Sequence, residues 1–279
     1  MQAQAENKGV LQAEADSLLS PDRNLVPDFD RVLLACMPKS GSTYLAKIFG
    51  ALPGCRRARL VSVFERREQE IDFHIFAAQE ELTRKKMAQS AERANRNPRG
   101  YIAQHHVTFN ANTAMFIRDY RLIPVVLVRN IYDVVISLRD HVRDNSVNMA
   151  MSYVDDRIKA LPDEELHSFL VDMAMPWYIK FFVSWAKSGV SPLFITYEDL
   201  RADEVLLMQR LLSKTSLSFG AGRIEKAIAA ANEKYTRKNV GKTGRGQVLS
   251  EDERRKIEKY ASYYPDIDFS LIGIERSNA

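Results

Sequence analysis

The sequence predicts an α/β protein: a single domain with a mostly parallel central sheet that is flanked by helices on both faces. Short apolar runs alternate with helical patterns along the chain, which is the element order of parallel sheets. The 279 residues are 46% hydrophobic, enough to form one sizeable core. Neither an internal repeat nor a low-complexity segment interrupts the alternation.

The elements follow from the periodicity of the apolar residues. Residues 1–28 are polar and are interpreted as an N-terminal tail or loose helix, so the predicted domain covers 29–279. The predicted strands lie at 31–36, 101–107, 123–128 and 193–197. The predicted helices lie at 42–52, 110–120, 131–141, 164–187, 199–213, 222–234 and 250–263, with one long or two shorter helices in 64–97. Pro176 is expected to kink or divide the helix at 164–187.

Charge and cysteine content narrow the function classes. The chain has 40 Lys and Arg against 36 Asp and Glu, and this net charge of +4 is too small to indicate a nucleic-acid partner. The two cysteines, Cys36 and Cys55, do not make a disulfide scaffold, which favours a reducing compartment. No apolar run reaches the length of a membrane span, and residues 1–28 contain no signal core. We therefore expect a cytoplasmic protein.

The first segment of interest is the run MPKSGSTY at 37–44, between a predicted strand and a predicted helix. A loop in this place directs backbone N–H groups and the positive end of the helix at the sheet edge, which makes an anion site. Gly41 allows close approach of the backbone, and Lys39 adds a mobile charge. Hydroxyl donors are supplied by Ser40, Ser42 and Thr43. The alternative is an ordinary strand-to-helix turn with a Ser or Thr cap.

The second segment, 128–139, follows the predicted strand 123–128. It places Arg129 at the strand end and Ser137 eight residues later, about two turns into a helix. An arginine fork and a serine hydroxyl in these places can converge on one phosphate. The alternative is a buried strand with an arginine at its mouth.

The third segment, 235–246, is rich in glycine and in cations. Its cations are Arg237, Lys238, Lys242 and Arg245. Such a loop can close over a multiply charged ligand, although a solvated basic loop is the alternative. The run Gly241-Lys242-Thr243 is not a Walker A loop, because Thr236 stands where the first glycine of that motif is needed.

The three segments resemble those of the sulfotransferases that use 3′-phosphoadenosine 5′-phosphosulfate (PAPS). The run PKSGSTY is similar to the family's 5′-phosphosulfate loop, PKSGTTW, with Ser42 for Thr and Tyr44 for Trp. The run RNIYDVVIS at 129–137 resembles the 3′-phosphate segment, RNPxDxxxS. The basic loop resembles the C-terminal loop of the family more loosely, since Gly-Asp-Trp is absent. A strand that ends in Tyr197-Glu-Asp is a fourth similarity, and the segments occur in the family's order.

The resemblance implies a P-loop-like fold, PAPS as donor, its product 3′-phosphoadenosine 5′-phosphate (PAP), and no metal. The implied reaction moves a sulfuryl group to a hydroxyl or amine of a small-molecule, lipid or carbohydrate acceptor. The implied catalytic residues are Lys39, His106 and Ser137. The implied nucleotide contacts are Lys39, Ser40, Gly41, Ser42, Thr43, Tyr44, Arg129, Ser137, Tyr197, Arg237, Lys238, Lys242, Gly244 and Arg245.

A base is needed to take the proton of an acceptor hydroxyl. His105 and His106 are adjacent on a predicted strand, so only one of them can face the site. The family's catalytic histidine lies in a run Lys-Thr-His, which assigns the role to His106 and puts Gln104 where the family often has lysine. A histidine titrates near neutral pH and suits this role. A structural, hydrogen-bonded histidine is the alternative, and we favour it for His105.

The acceptor is not specified by the sequence. Segments 60–100 and 143–175 are expected to line its site, the first rich in charge and the second in methionine. Two other functions stay open: a P-loop-like nucleotide kinase or NTPase, which would depend on Mg²⁺, and a non-catalytic nucleotide-binding module. The oligomeric state does not follow from the sequence.

Overall fold

The computed structural model describes residues 29–60, 73–94, 98–149, 151–233 and 242–275. The predicted tail at 1–28 lies outside these ranges, as does the part of the third segment that contains Arg237 and Lys238.

The centre of the molecule is a sheet of five strands, all of whose pairings are parallel. The strands are β1 (Asp30–Cys36), β2 (Cys55–Ala58), β3 (Gly100–His105), β4 (Ile123–Val128) and β5 (Leu193–Thr196), in the order β2-β3-β1-β4-β5. The prediction of a mostly parallel sheet is thus confirmed. Strand β2 was not predicted, because its four residues, CRRA, contain no apolar run.

Helices account for most of the remaining described chain. They are α1 (Ser42–Ala51), α2 (Phe73–Ala94), α3 (Ala111–Asp119), α4 (Ile131–Asp144), α5 (Asp156–Lys159), α6 (Asp163–Met173), α7 (Met175–Ala186), α8 (Tyr197–Ala202), α9 (Glu204–Leu212), α10 (Ala221–Glu233) and α11 (Glu251–Ser262). Two short 3₁₀ helices span Arg245–Val248 and Ser270–Ile272. The predicted helix at 164–187 is divided at Ala174, and Pro176 lies in the first turn of α7. The predicted helix at 199–213 is also two helices, because Asp203 caps the start of α9.

Two apolar cores lie on the two faces of the sheet. Alternate residues of β1 point into different cores, with Leu33 and Ala35 on one face and Val32 and Leu34 on the other. Helices α2, α4, α6, α7 and α11 contribute to the first core, and α1, α9 and α10 to the second. This explains why β1 is an unbroken apolar run: a strand covered on both faces needs no polar side.

The strand order creates a crevice where the chain changes direction across the sheet. From β1 the chain moves outward to β2, returns through β3, and crosses to the other side of β1 to form β4. The loops that follow β1 and β4 therefore separate at the carboxyl edge of the sheet, where ligands of such sheets bind. These two loops are the first and second segments of the sequence analysis.

Candidate active site

The loop after β1 has a backbone that turns back toward the sheet. Lys39 and Gly41 both have left-handed backbone angles, with φ of 68° and 81°. The Ser40 hydroxyl donates to the Met37 carbonyl at 2.6 Å, and the Tyr178 hydroxyl donates to the Pro38 carbonyl at 3.2 Å. For a lysine this conformation costs roughly 1–2 kcal/mol, so these contacts offset a local strain.

Gly41 begins α1 in a place where a side chain does not fit. Its carbonyl accepts hydrogen bonds from the backbone N–H of Tyr44 and of Leu45, at 3.0 and 3.1 Å. A Cβ at Gly41 would lie 2.9 Å from a ring carbon of Tyr197. Both the positive φ and this contact require glycine, so the loop brings the start of α1 directly against Tyr197.

The first turn of α1 presents donors for an anion. No acidic residue lies in that turn, so the positive end of the helix is not neutralised there. The Gln104 amide donates to the hydroxyl oxygens of Ser42 and Thr43, at 2.9 and 3.3 Å. Because each hydroxyl oxygen accepts from Gln104, its own proton can be donated to a ligand.

Tyr44, in the same turn, is held by α9. Its hydroxyl donates to both carboxylate oxygens of Glu204, each at 3.1 Å. Burial, and then the charge of Glu204, raise the pKa of Tyr44 to about 12, so the phenol stays neutral. The hydroxyl is therefore engaged in the fold, and the ring is the part of Tyr44 that can contact a nucleotide.

The two adjacent histidines point to different environments. Strand β3 ends at His105, which is buried and whose Nε2 accepts a hydrogen bond from the backbone N–H of Leu60 at 3.2 Å. Burial, then the charges of His106 and Arg59, lower the pKa of His105 to about 3. His105 is therefore a neutral acceptor that holds the chain after β2, as expected for a structural histidine.

His106 follows the strand and faces the side of α1. Its Nδ1 lies 2.8 Å from the Cys36 carbonyl oxygen. A carbonyl can only accept, so Nδ1 carries the proton and Nε2 carries the lone pair of the neutral ring. The Cys36 thiol lies 3.5 Å from the same nitrogen. Burial raises the pKa of this thiol to about 12, which keeps Cys36 protonated and unsuited to act as a nucleophile.

Arg129, at the end of β4, is the centre of the second segment. Its side chain is buried, and its Nη1 and Nη2 donate to the backbone carbonyls of Lys39 and Lys242, at 3.0 and 3.2 Å. The guanidinium carbon lies 4.2 Å from the centre of the Tyr197 ring, so this ring is packed between Arg129 and Gly41. Among the described residues, the buried Nε of Arg129 has no hydrogen-bond partner.

Asp133 fastens the third segment to α4. Its carboxylate accepts the backbone N–H groups of Gly244 and Gly246, at 2.9 and 2.7 Å. It also lies 3.7 Å from Nη2 of Arg129. Ser137 is buried one turn further along α4, on the same side of the helix. The second and third segments therefore form one structure around the N-terminal half of α4.

The cations of the third segment have different roles. The Lys242 backbone carbonyl accepts a hydrogen bond from Arg129, and the Lys242 side chain is exposed. Arg245 forms an ion pair with Asp140 of α4 at 2.7 Å, and Arg139 pairs with the same carboxylate at 2.8 Å. Arg245 thus contacts α4 at Asp140, which is less than one turn beyond Ser137.

Sequence reasoning did not identify Asp133 or Glu198 as parts of this site. The position of Asp133, four residues after Arg129 in the first turn of a helix, was a usable signal, because a carboxylate there accepts backbone N–H groups. Glu198 accepts from the backbone N–H of Asn130 at 3.2 Å, and burial raises its pKa. No local pattern predicts that contact, because Asn130 follows β4 and Glu198 lies in the helix that follows β5.

No helix within the described ranges is both long and apolar enough to cross a membrane. The same ranges contain no group of three or more His, Cys, Asp or Glu side chains that could hold a metal ion.

Comparison with known proteins identifies the family. The model of the sulfotransferase domain family matches residues 29–262, which is most of the chain, so the protein belongs to the sulfotransferase family. None of the curated proteins compared with the chain gives a significant sequence match.

Solved structures show the same fold. The mouse sulfotransferase SULT7A1, complexed with PAP, is 16% identical, with a TM-score of 0.60 over 90% of this chain and 92% of that chain. Retinol dehydratase, in complex with androsterone and the inactive cofactor PAP, is also 16% identical, with a TM-score of 0.51 over 89% of this chain and 86% of that chain. The α/β fold predicted from the sequence, with its P-loop-like arrangement, is therefore confirmed.

Proposed function

We propose that this sulfotransferase moves a sulfuryl group from PAPS to a hydroxyl, or an amine, of an acceptor molecule and releases PAP. The observation that supports this most directly is the hydrogen bond from Arg129 to the Lys39 carbonyl, at 3.0 Å. It joins the loop before α1 to the loop before α4, so that two anion sites share the carboxyl edge of the sheet. A nucleotide with a phosphate at each end matches such a pair of sites.

The residues present fit PAP at both ends. The N-terminus of α1 and the hydroxyls of Ser42 and Thr43 supply donors for the 5′-phosphate, and Lys39 in the same loop supplies a positive charge. The buried Nε of Arg129 lacks a partner among the described residues, and a 3′-phosphate oxygen would satisfy it. Ser137 and the glycine loop held by Asp133 lie beside that position. Arg237 and Lys238 remain predicted contacts of the same phosphate.

The mechanism that these residues support is an in-line transfer. PAPS, when bound, supplies the sulfuryl group and leaves as PAP. His106, with Nδ1 bonded to the Cys36 carbonyl, takes the acceptor proton at Nε2. Lys39 and the positive end of α1 stabilise the negative charge that develops on the departing phosphate. Ser137 is assigned to holding the 3′-phosphate and, through it, the alignment of the donor.

The acceptor and the location are further parts of the proposal. The acceptor is a small molecule, a lipid or a carbohydrate that presents its hydroxyl or amine to Nε2 of His106. Cys36 and Cys55 are both free thiols, which supports a reducing compartment such as the cytoplasm.

Calorimetric titration with PAP, and separately with ATP and Mg²⁺, tests the donor half of the proposal. We expect PAP to bind without added metal, and Arg129→Ala to abolish that binding. Arg223→Ala, which changes an exposed arginine of α10, is the matched control and is expected to bind PAP as the unmodified protein does. A preference for ATP with Mg²⁺ would instead support a nucleotide kinase. PAP binding without turnover in a screen of acceptors with labelled PAPS would support a non-catalytic binding module.

A further inference from the structure

Arg59, directly after β2, lies beside Gln104 at the carboxyl edge of the sheet. Strands β2 and β3 are paired in parallel up to Ala58 and Ala103, so the next residues along the two strands are Arg59 and Gln104. The two chains stay together beyond that pair, because the Leu60 backbone N–H donates to His105. Neighbouring strands are about 5 Å apart, which sets the distance between the two backbones.

The side chain of Arg59 is on the face of the sheet that α1 covers. Arg57, two residues earlier, packs there, since a Cβ on Gly50 of α1 would lie 2.9 Å from its Cγ. Side chains alternate along an extended chain, so Arg59 shares this face, whereas Leu60 is buried in the core on the other face. Gln104 uses the same face to reach the first turn of α1. Arg59 therefore stands next to the donors proposed for the 5′ end of PAPS.

The charge of Arg59 is not neutralised by a carboxylate in the described part of the chain. The side chain is exposed, and the ion pairs of the described residues do not include it. Its charge contributes to the lowered pKa values of Arg57 and His105, after burial in both cases. A guanidinium with neutral and like-charged neighbours, beside the start of a helix, is a site for an anion.

We propose that Arg59 is a catalytic residue that contacts the sulfuryl oxygens of PAPS. This inference rests on the proposed function. Lys39 follows β1 and Arg59 follows β2, with Gln104 of β3 between them, so the two cations bracket the transferred group. In the transfer, the bond from sulfur to the phosphate oxygen breaks, the bond from sulfur to the acceptor oxygen forms, and the acceptor proton goes to His106. Arg59 stays with the sulfuryl oxygens, because the sulfuryl group carries one negative charge both in the donor and in the product.

The test compares the affinities of PAPS and PAP, because only PAPS has the sulfuryl group. In calorimetric titrations, Arg59→Gln is expected to weaken PAPS binding about tenfold and to change PAP binding by less than about twofold. Arg57→Gln, on the same strand and face but one repeat further from the edge, is the control and should leave both affinities unchanged. Gln104→Lys in the Arg59→Gln background places a cation on the neighbouring strand and should restore PAPS binding.

Three results would overturn the inference. Equal loss of PAPS and PAP affinity would show a general charge effect, and unchanged affinities would show that Arg59 touches neither ligand. A selective loss that Gln104→Lys fails to recover would contradict the position assigned to Arg59. Failure of the unmodified protein to bind either nucleotide would instead sink the proposed function, so the two failures are distinguishable.

Discussion

Asp133 holds Gly246 against the start of α4. The Gly246 N–H donates to the Asp133 carboxylate at 2.7 Å, and a Cβ at Gly246 would lie only 2.4 Å from the Cβ of Tyr132. The backbone of the glycine loop is thus in direct contact with the helix that follows Arg129. Two segments that are 113 residues apart in sequence become one structure through this pair.

Gly246→Ala should lift the loop away from α4. The new methyl group overlaps backbone atoms, which cannot move as a flexible side chain can, so the loop rather than the helix has to shift. We expect PAP affinity to fall at least about tenfold, with a destabilisation of about 1–3 kcal/mol. Calorimetry with PAP and a thermal melt measure the two effects. Gly222→Ala is the control, since a Cβ there meets nothing within 4 Å. Unchanged stability of Gly246→Ala would contradict the close packing of the loop on α4, and unchanged PAP binding would remove the loop from the nucleotide site.

The variants His106→Gln and His105→Gln should distinguish the proposed catalytic histidine from the structural one, because only His106→Gln is expected to lose most of the activity. Loss of the proposed base is expected to lower turnover by about 10²–10⁴-fold while PAP affinity is retained. His105 is a neutral acceptor for Leu60, so its replacement should leave most of the activity at neutral pH. The measurement is the rate of transfer from labelled PAPS to an acceptor found by screening. Equal losses in both variants would remove His106 from the role of base.

His105 should make the stability of the fold depend on pH. Its pKa is about 3 in the folded protein, below the ordinary value of 6.5 that it regains on unfolding. Between these values the unfolded chain binds the extra proton, so this contribution to stability is complete above pH 6.5 and is lost as the pH falls toward 3. The loss amounts to at most about 1.4 kcal/mol per pH unit.

Urea unfolding at about pH 7.5, 6 and 5 measures this dependence. His105→Gln should give a flatter decline of the free energy of unfolding than the unmodified protein. An identical decline in the two proteins would mean that folding does not lower the pKa of His105.

Arg31→Met should destabilise the fold without changing nucleotide binding. Arg31 forms a buried ion pair with Glu80 of α2 at 2.8 Å, at the amino end of the sheet. Removing one partner leaves the other charge buried, at a cost of about 3–5 kcal/mol. Urea unfolding measures the loss of stability. The double variant Arg31→Met with Glu80→Leu should recover most of that loss, because it leaves no unpaired buried charge.

A surface ion pair on the same helix provides the control for that experiment. Lys85 and Glu81 are 2.6 Å apart, but both side chains are more than half exposed. Lys85→Met should therefore change stability by less than about 1 kcal/mol. If Arg31→Met were equally mild, the buried pair would not contribute to stability in the way proposed.

The sequence predicted those strands and turns that are determined by one local property, such as an apolar run or a glycine. The run 31–36 is apolar at almost every position because both faces of β1 are covered, and the glycine at 41 marks the turn into α1. Strand β2 was not predictable by the same means. It lies at the sheet edge, has four residues and contains two arginines, so its extended form depends on pairing with β3 rather than on its own sequence.

The sequence identified the segments of the candidate site but did not predict the hydrogen bonds that join them. Alternation along the predicted strand 101–107 implies that His105 and His106 face different ways, yet the choice between them depends on the hydrogen bonds to Leu60 and to the Cys36 carbonyl. The tie between Asp133 and the glycine loop joins distant parts of the chain, and no local pattern encodes it. The position of Arg59 was likewise not predictable from its local sequence, since only the register of β2 against β3 places it beside Gln104.

The hydrogen bond from Arg129 to the Lys39 carbonyl also bears on which nucleotides the protein can select. Arg129 stabilises the left-handed turn at Lys39, and therefore the loop proposed for the 5′ end is shaped by the residue proposed to bind the 3′-phosphate. The spacing between the two sites is then fixed by the sheet rather than adjusted by each ligand. A donor without the 3′-phosphate would lose one contact and would also leave the buried Nε of Arg129 without a partner, so discrimination against that donor should exceed the loss of a single phosphate contact.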